Sequence, residues 1–112
     1  MDCLFCKIVD GSIPSVRIYE DDEFLVFKDV NPVAPVHLLV IPKKHIDSLA
    51  YIKEEHASMM GRMMLVIAHV ARDQGIVENG YRVLSNHGQD AGQIIQHLHF
   101  HILGGKKLAP IG

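Results

Sequence analysis

The sequence has no excess of basic residues. Eleven lysines and arginines stand against thirteen aspartates and glutamates, a formal charge of -2 with neutral histidines. A nonspecific nucleic-acid binder needs a basic face, so the charge argues against that class and leaves room for a small anionic ligand held by local groups. No apolar run approaches the length of a bilayer span, which excludes a membrane-spanning helix. The opening segment MDCLFCK has no basic stretch leading into a long hydrophobic one. No signal peptide is therefore expected, and the expected compartment is the cytoplasm. Cysteine is scarce: Cys3 and Cys6 form a single CxxC. In a reducing compartment such a pair indicates metal or redox chemistry more often than a structural disulfide. Repeats and domain boundaries are also lacking, so residues 1–112 are expected to form one domain.

What is present is an ordinary globular composition with strong local patterns. Residues 16–20 and 24–28 read as a hairpin, because β-branched and aromatic residues flank the turn formers Asp21 and Asp22. Pro32 and Pro35 then force a loop. VHLLVIP, residues 36–42, reads as a central strand with His37, Leu39 and Ile41 on one face and Leu38 and Val40 on the other. A polar-flanked connection carrying His45 leads to a predicted helix at 54–73. Met60, Met63, Met64, Ile67 and Ala71 would form its apolar face, opposite Ser58, Arg62, His69 and Asp73, with Gly75 as the stop. Strands are predicted at 81–86 and 97–105, separated by the polar, glycine-bearing loop HGQDAGQ. Five strands and one main helix in this order imply an α+β domain, an antiparallel sheet with the helix against one face.

The last strand, HLHFHILGG, puts His97, His99 and His101 on one face, with Leu98, Phe100 and Ile102 on the other. Three uses compete for such a row: metal binding, acid–base work, and covalent attack on phosphorus. Spacing alone does not choose among them, and a polar sheet face with no chemistry is the alternative. The neighbours favour an anion. Gly88 and Gly92 let main-chain amides approach closely, and Asn86 adds a side-chain donor. Asp29 is either an acceptor for the two hydroxyls of a sugar or a solvated turn carboxylate. His56 and His69 carry no partner pattern and read as structural or solvated, while His87, next to Asn86, is either incidental or near the pocket mouth.

Two blocks, FKDVNPVAPVHLLVIPKKHI and HLHFHILGG, occur in the order and separation of the histidine triad (HIT) superfamily. Across nearly the whole chain the sequence resembles that family's Hint-like nucleotide-binding branch, of bacterial and archaeal type. The resemblance implies an α+β protomer whose antiparallel sheet continues across a homodimer. It implies a hydrolase that cleaves purine nucleoside phosphoramidates, or related nucleotidyl linkages, through a nucleotidyl-histidine intermediate, releasing AMP or GMP. Carried onto this chain, the nucleophile is His99. His101 contacts the phosphate and leaving-group side, either assisting departure or orienting the substrate. His37 supports the nucleophile's orientation or protonation. Asn86 and the Gly92 amide meet the phosphate, Asp29 holds the ribose hydroxyls, and Val30 lies beside the sugar. Dinucleoside polyphosphate hydrolysis, or nucleotide-dependent regulation with slow turnover, are the competing functions. Two departures bear on leaving-group choice. Ile94 stands where animal members have a serine able to donate to the phosphate, and the tail GGKKLAPIG has no tryptophan.

A tetrahedral zinc site needs two ligands beyond Cys3 and Cys6. His45 and His97 are the candidates, joined to the cysteines by the resemblance and not by spacing. A structural zinc there would tie the N-terminus to the strand carrying the nucleophile and leave His97 an orienting role.

Overall fold

The structure, a computed structural model, describes residues 3–111; residues 1, 2 and 112 lie outside the described chain. Helix α1 spans Leu4–Val9, strands β1 and β2 span Arg17–Glu20 and Phe24–Lys28, and β3 spans Val36–Pro42. Short 3-10 turns at Leu49–Tyr51 and Glu54–His56 lead into helix α2, Ala57–Asp73. Strand β4 spans Tyr81–Leu84, a 3-10 turn covers Gln89–Ala91, and β5 spans Phe100–Gly104. The strands form one antiparallel sheet in the order β1-β2-β3-β5-β4. The predicted α+β class and five-strand sheet are those observed.

Local chemistry accounts for the connections. Asp21 closes the β1–β2 turn by accepting from the Glu23 and Phe24 amides, each at 2.7 Å. Helix α2 ends at Gln74, and Gly75 takes the left-handed conformation expected of a stop. Strand alternation then sends side chains to two cores. Val26, Leu38, Val40, Leu98 and Ile102 pack with Met63, Val66, Ile67 and Val70 of α2. On the other face Leu25, Phe27, Leu39 and Ile41 pack with Phe5 and Ile8 of α1. A fully buried side chain of this size contributes about 1.5–3 kcal/mol over exposure, and so short a chain needs both faces.

Four local expectations are revised. Helix α1 was not foreseen: at six residues it is too short for a clear period, although Phe5 and Ile8 do have helical spacing and are both buried. The α2 apolar face centres on Met63, Val66, Ile67 and Val70, while Met64 is exposed. Strand β4 stops at Leu84, where its pairing with β5 ends at His101. Strand β5 begins at Phe100, not His97. Its pairing with β3 stops at Val40↔Phe100, and the Leu98 amide donates instead to the Ile46 carbonyl at 2.6 Å. The three histidines therefore do not share one strand.

Candidate active site

Sheet register brings two of the histidines together from distant parts of the chain. Leu39 opposes His101 and His37 opposes Leu103 across β3 and β5. His37 and His101 are thus diagonal neighbours on the α1 face. Their rings approach at 2.9 Å, Nε2 of His37 to Nδ1 of His101. The proton arrangement follows from the other partners. The Val33 amide donates to His37 Nδ1 at 3.1 Å, so a neutral His37 carries its proton on Nε2. That Nε2–H donates to His101 Nδ1, with the Asp29 carboxylate as a second acceptor at 3.3 Å. A neutral His101 then carries its own proton on Nε2. His37 thus contacts His101 directly, and no direct bond to His99 was found among the described residues.

His99 lies just before β5 and is held differently. Its Nδ1–H donates to the His97 carbonyl at 2.6 Å, which leaves Nε2 as the unprotonated nitrogen of the neutral ring. Phe5 packs edge-on against it at 5.1 Å, and the Ser85 hydroxyl fixes its main chain by donating to the His99 carbonyl at 2.6 Å. The His99 and His101 ring centres are 5.2 Å apart.

Both rings border a cavity of about 490 Å³, within the range of small-molecule sites. Phe5, Ile8, Ile13, Phe27 and Leu39 supply apolar lining; Asp29, Asn86, His99 and His101 supply polar groups, with Val30 and Gly92 also in the wall. All the residues assigned to nucleotide binding from sequence line this one cavity. The apolar wall was not foreseen, because it depends on where α1 lands. One detail differs from expectation: the Gly92 amide already donates to the Gln89 carbonyl at 3.0 Å, closing the 3-10 turn. A neighbouring groove shares Leu4, Ile94 and Ile95 with the cavity and runs toward Cys3, His45 and Asp47. It lacks His99 and His101, so the larger cavity is the site of interest.

Burial sets the protonation of this pair. It pushes the His101 imidazole down to about 4; His99 and His37 add to the effect and Asp29 opposes it. Burial also holds His37 below its ordinary value, again opposed by Asp29. Both rings are therefore neutral at pH 7 and act as hydrogen-bond donors without charge. Because the folded value lies below the unfolded one, the unfolded chain takes up the proton first. The stability contribution is complete above the ordinary value of 6.5 and is lost as pH falls toward 4. A ring-nitrogen NMR titration of the free protein is expected to place the His101 midpoint near 4. A midpoint at or above 6.5 would contradict this account.

The cysteine pair meets its two histidine candidates. Cys3 Sγ lies 3.3 Å from His97 Nδ1, and Cys6 Sγ lies 3.3 Å from His45 Nδ1 and 3.6 Å from His97 Nδ1. All four ligand atoms fall within 4.8 Å of one another. The far nitrogens are occupied: His97 Nε2–H donates to the Pro42 carbonyl at 2.8 Å, and His45 Nε2–H to the Asp47 carboxylate at 2.6 Å. Both rings thus aim a lone pair at the sulfurs, the outer-shell arrangement metal-ligating histidines use. Burial, with the Cys3 thiol beside it, pushes the Cys6 thiol up to about 11, so a free Cys6 there is a thiol. Two thiolates and two imidazoles around one point suit zinc, and the cluster could hold such an ion.

The fold and site together define an α+β domain with a histidine-faced cavity of nucleotide size and a separate sulfur–imidazole cluster. Comparison with known proteins places it further. The sequence profile of the HIT domain matches residues 10–108, and the chain belongs to the HIT domain family. The purine nucleoside phosphoramidase of Escherichia coli (strain K12) is 40% identical over 110 residues, 98% of this chain and 92% of that protein. A solved histidine triad protein from Clostridium difficile superposes with a TM-score of 0.96 at 50% identity, covering 100% of this chain and 97% of that one. A HIT family hydrolase from Clostridium thermocellum gives 0.94 at 44% identity, covering 98% and 96%. Among the described residues, no helix is long and apolar enough to cross a membrane.

Proposed function

We propose that this chain, residues 1–112 forming one HIT domain, is a hydrolase that releases a purine nucleoside monophosphate, AMP or GMP, from phosphoramidates or related nucleotidyl linkages. The observation that carries the reading is the hydrogen bond from His99 Nδ1–H to the His97 carbonyl, which leaves Nε2 free at the cavity. His99 Nε2 attacks the α-phosphorus. The phosphorus–nitrogen bond to the amine breaks as the P–Nε2 bond forms, and the amine leaves with a proton taken from solvent. Water then attacks phosphorus and returns a proton to solvent, the P–Nε2 bond breaks, and the monophosphate is released.

His101 presents Nε2–H to the phosphate and leaving-group side, oriented through His37 and Asp29. Its neutral state fits a donor that strengthens as charge builds on phosphorus. Asn86 and the Gly92 segment meet the phosphate oxygens. With the Gly92 and Gln93 amides both engaged within the loop, the Ile94 main-chain amide is the nearer donor. Asp29 receives the ribose hydroxyls with Val30 beside the sugar, and Phe5, Ile8 and Phe27 enclose the purine.

Cys3, Cys6, His45 and His97 hold a structural zinc that takes no part in the chemical step. The protein acts as a homodimer in the cytoplasm, with no nucleic-acid or membrane partner. Of the two outer strands, β4 suits continuation of the sheet. The other, β1, carries a register irregularity and the Arg17–Glu20 and Lys43–Glu20 ion pairs, features that discourage edge pairing.

Ile94 is 86% exposed and replaces a possible phosphate donor with an apolar side chain, which favours a second reading of slower turnover or another leaving group. Turnover of adenosine phosphoramidate and of a diadenosine polyphosphate, measured side by side, tests the proposal. Faster amide cleavage supports it. Preference for the polyphosphate moves the protein to the other hydrolase class, and binding with negligible turnover of both makes it a nucleotide-binding regulator.

A further inference from the structure

We propose that Gln93 is the positioning residue of the phosphate-side loop, fixing the main chain of residues 86–93 so that the Asn86 side chain and the following Ile94 amide face a nucleotide phosphate. The inference rests on the nucleotide reading above. Gln93 does not line the cavity. It lies beneath the loop, 8% exposed, and its amide is engaged on three sides. Oε1 accepts from the Gly88 amide at 3.0 Å, while Nε2 donates to the Asp47 carbonyl at 2.8 Å and the Ile95 carbonyl at 3.1 Å. The reverse orientation would set the NH₂ against an N–H and the oxygen against two carbonyls, so the partners dictate this one.

The main chain adds a second tie, since the Gln93 amide donates to the Gly88 carbonyl at 3.1 Å. Gly88 is thus held through both of its polar groups by one residue. It needs holding: its φ of 82° and ψ of 172° form a conformation essentially confined to glycine. The rest of the loop supplies little burial of its own, because Gln89, Asp90, Ala91 and Gly92 are all exposed. One further side-chain tie, between Ser48 Oγ and His87 Nδ1 at 2.6 Å, fastens the front of the loop to the same 47–48 segment.

This loop and its continuation bring Asn86, Gly92 and Ile94 to the cavity, whereas α1, β2 and β3 supply the apolar lining of Phe5, Ile8, Phe27 and Leu39. Loss of the Gln93 ties should therefore damage recognition of the phosphate and spare the base and sugar. A residue serving only as scaffold would weaken both.

The experiment compares AMP with adenosine by calorimetric titration, on the purified wild type and on Gln93→Met, which keeps the volume and removes the polar ties. AMP affinity is expected to fall about tenfold in the variant, with adenosine affinity changed by less than about twofold. Should the variant fail to fold, the wild type decides the matter by NMR. The Gln93 side-chain amide and Gly88 main-chain signals are expected to shift on saturation with AMP and to stay in place with adenosine; no shift with AMP overturns the inference. Equal wild-type affinity for AMP and adenosine overturns the nucleotide reading and this inference with it. A wild-type preference for AMP that Gln93→Met retains, or equal loss of both ligands, overturns the inference alone.

Discussion

His99→Ala is expected to lower turnover by at least about 10⁴-fold, the scale seen when a covalent nucleophile is removed, while AMP binding stays within about tenfold of wild type. The two effects separate because they use different parts of the cavity. The covalent step needs the one unprotonated nitrogen that the His97 carbonyl selects. In the proposed reading binding draws on Asp29, Asn86 and the apolar lining, none of which the substitution removes. Some stability is lost as well, since the ring packs edge-on against Phe5. Rapid quenching of the wild type during turnover should yield protein carrying one nucleotide, mapped to His99 and missing from the variant. A variant that keeps a tenth of wild-type turnover would end the covalent account.

Metal removal is expected to have the second large effect. The purified protein should contain one zinc per chain. Stripping it with a chelator should cost at least about 4 kcal/mol of stability, the linkage expected for an ion present a thousandfold above its dissociation constant. Cys3→Ser offers a controlled version. Cys3 is the N-cap of α1, its sulfur accepting from the Cys6 amide at 3.3 Å. Serine is a good N-cap, so the helix keeps its cap and the loss reports the metal. Because α1 carries Phe5 and Ile8 into the cavity wall, AMP affinity should fall with metal content. Metal-free protein with an unchanged unfolding midpoint would refute the structural role.

The parts of this molecule legible in the sequence are those with a short-range physical period. Strand alternation in VHLLVIP and the apolar face around Met63 and Ile67 predicted β3 and α2 closely. The turn chemistry of Asp21 and the stop at Gly75 predicted their connections. Elements with too few residues to establish a period were missed or misjudged. Helix α1 is the clearest case, and the premature row of strand residues from His97 is another. There the alternation of HLHFH holds as a pattern, but the Leu98 amide finds a better-placed acceptor in Ile46.

By itself the sequence determined which chemical groups are concentrated, namely three histidines in five residues, a CxxC and a glycine-bearing loop, and the resemblance they carry. Only the tertiary structure decided how those histidines divide their work. His97 turns its ring to the cysteines and lends its carbonyl to His99, while His101 joins His37 across the sheet. The physical reason is range. Side-chain direction along a strand is a local property of the backbone, but the partner that fixes a ring's proton can arrive from as far as 64 positions away, chosen by sheet register and helix packing.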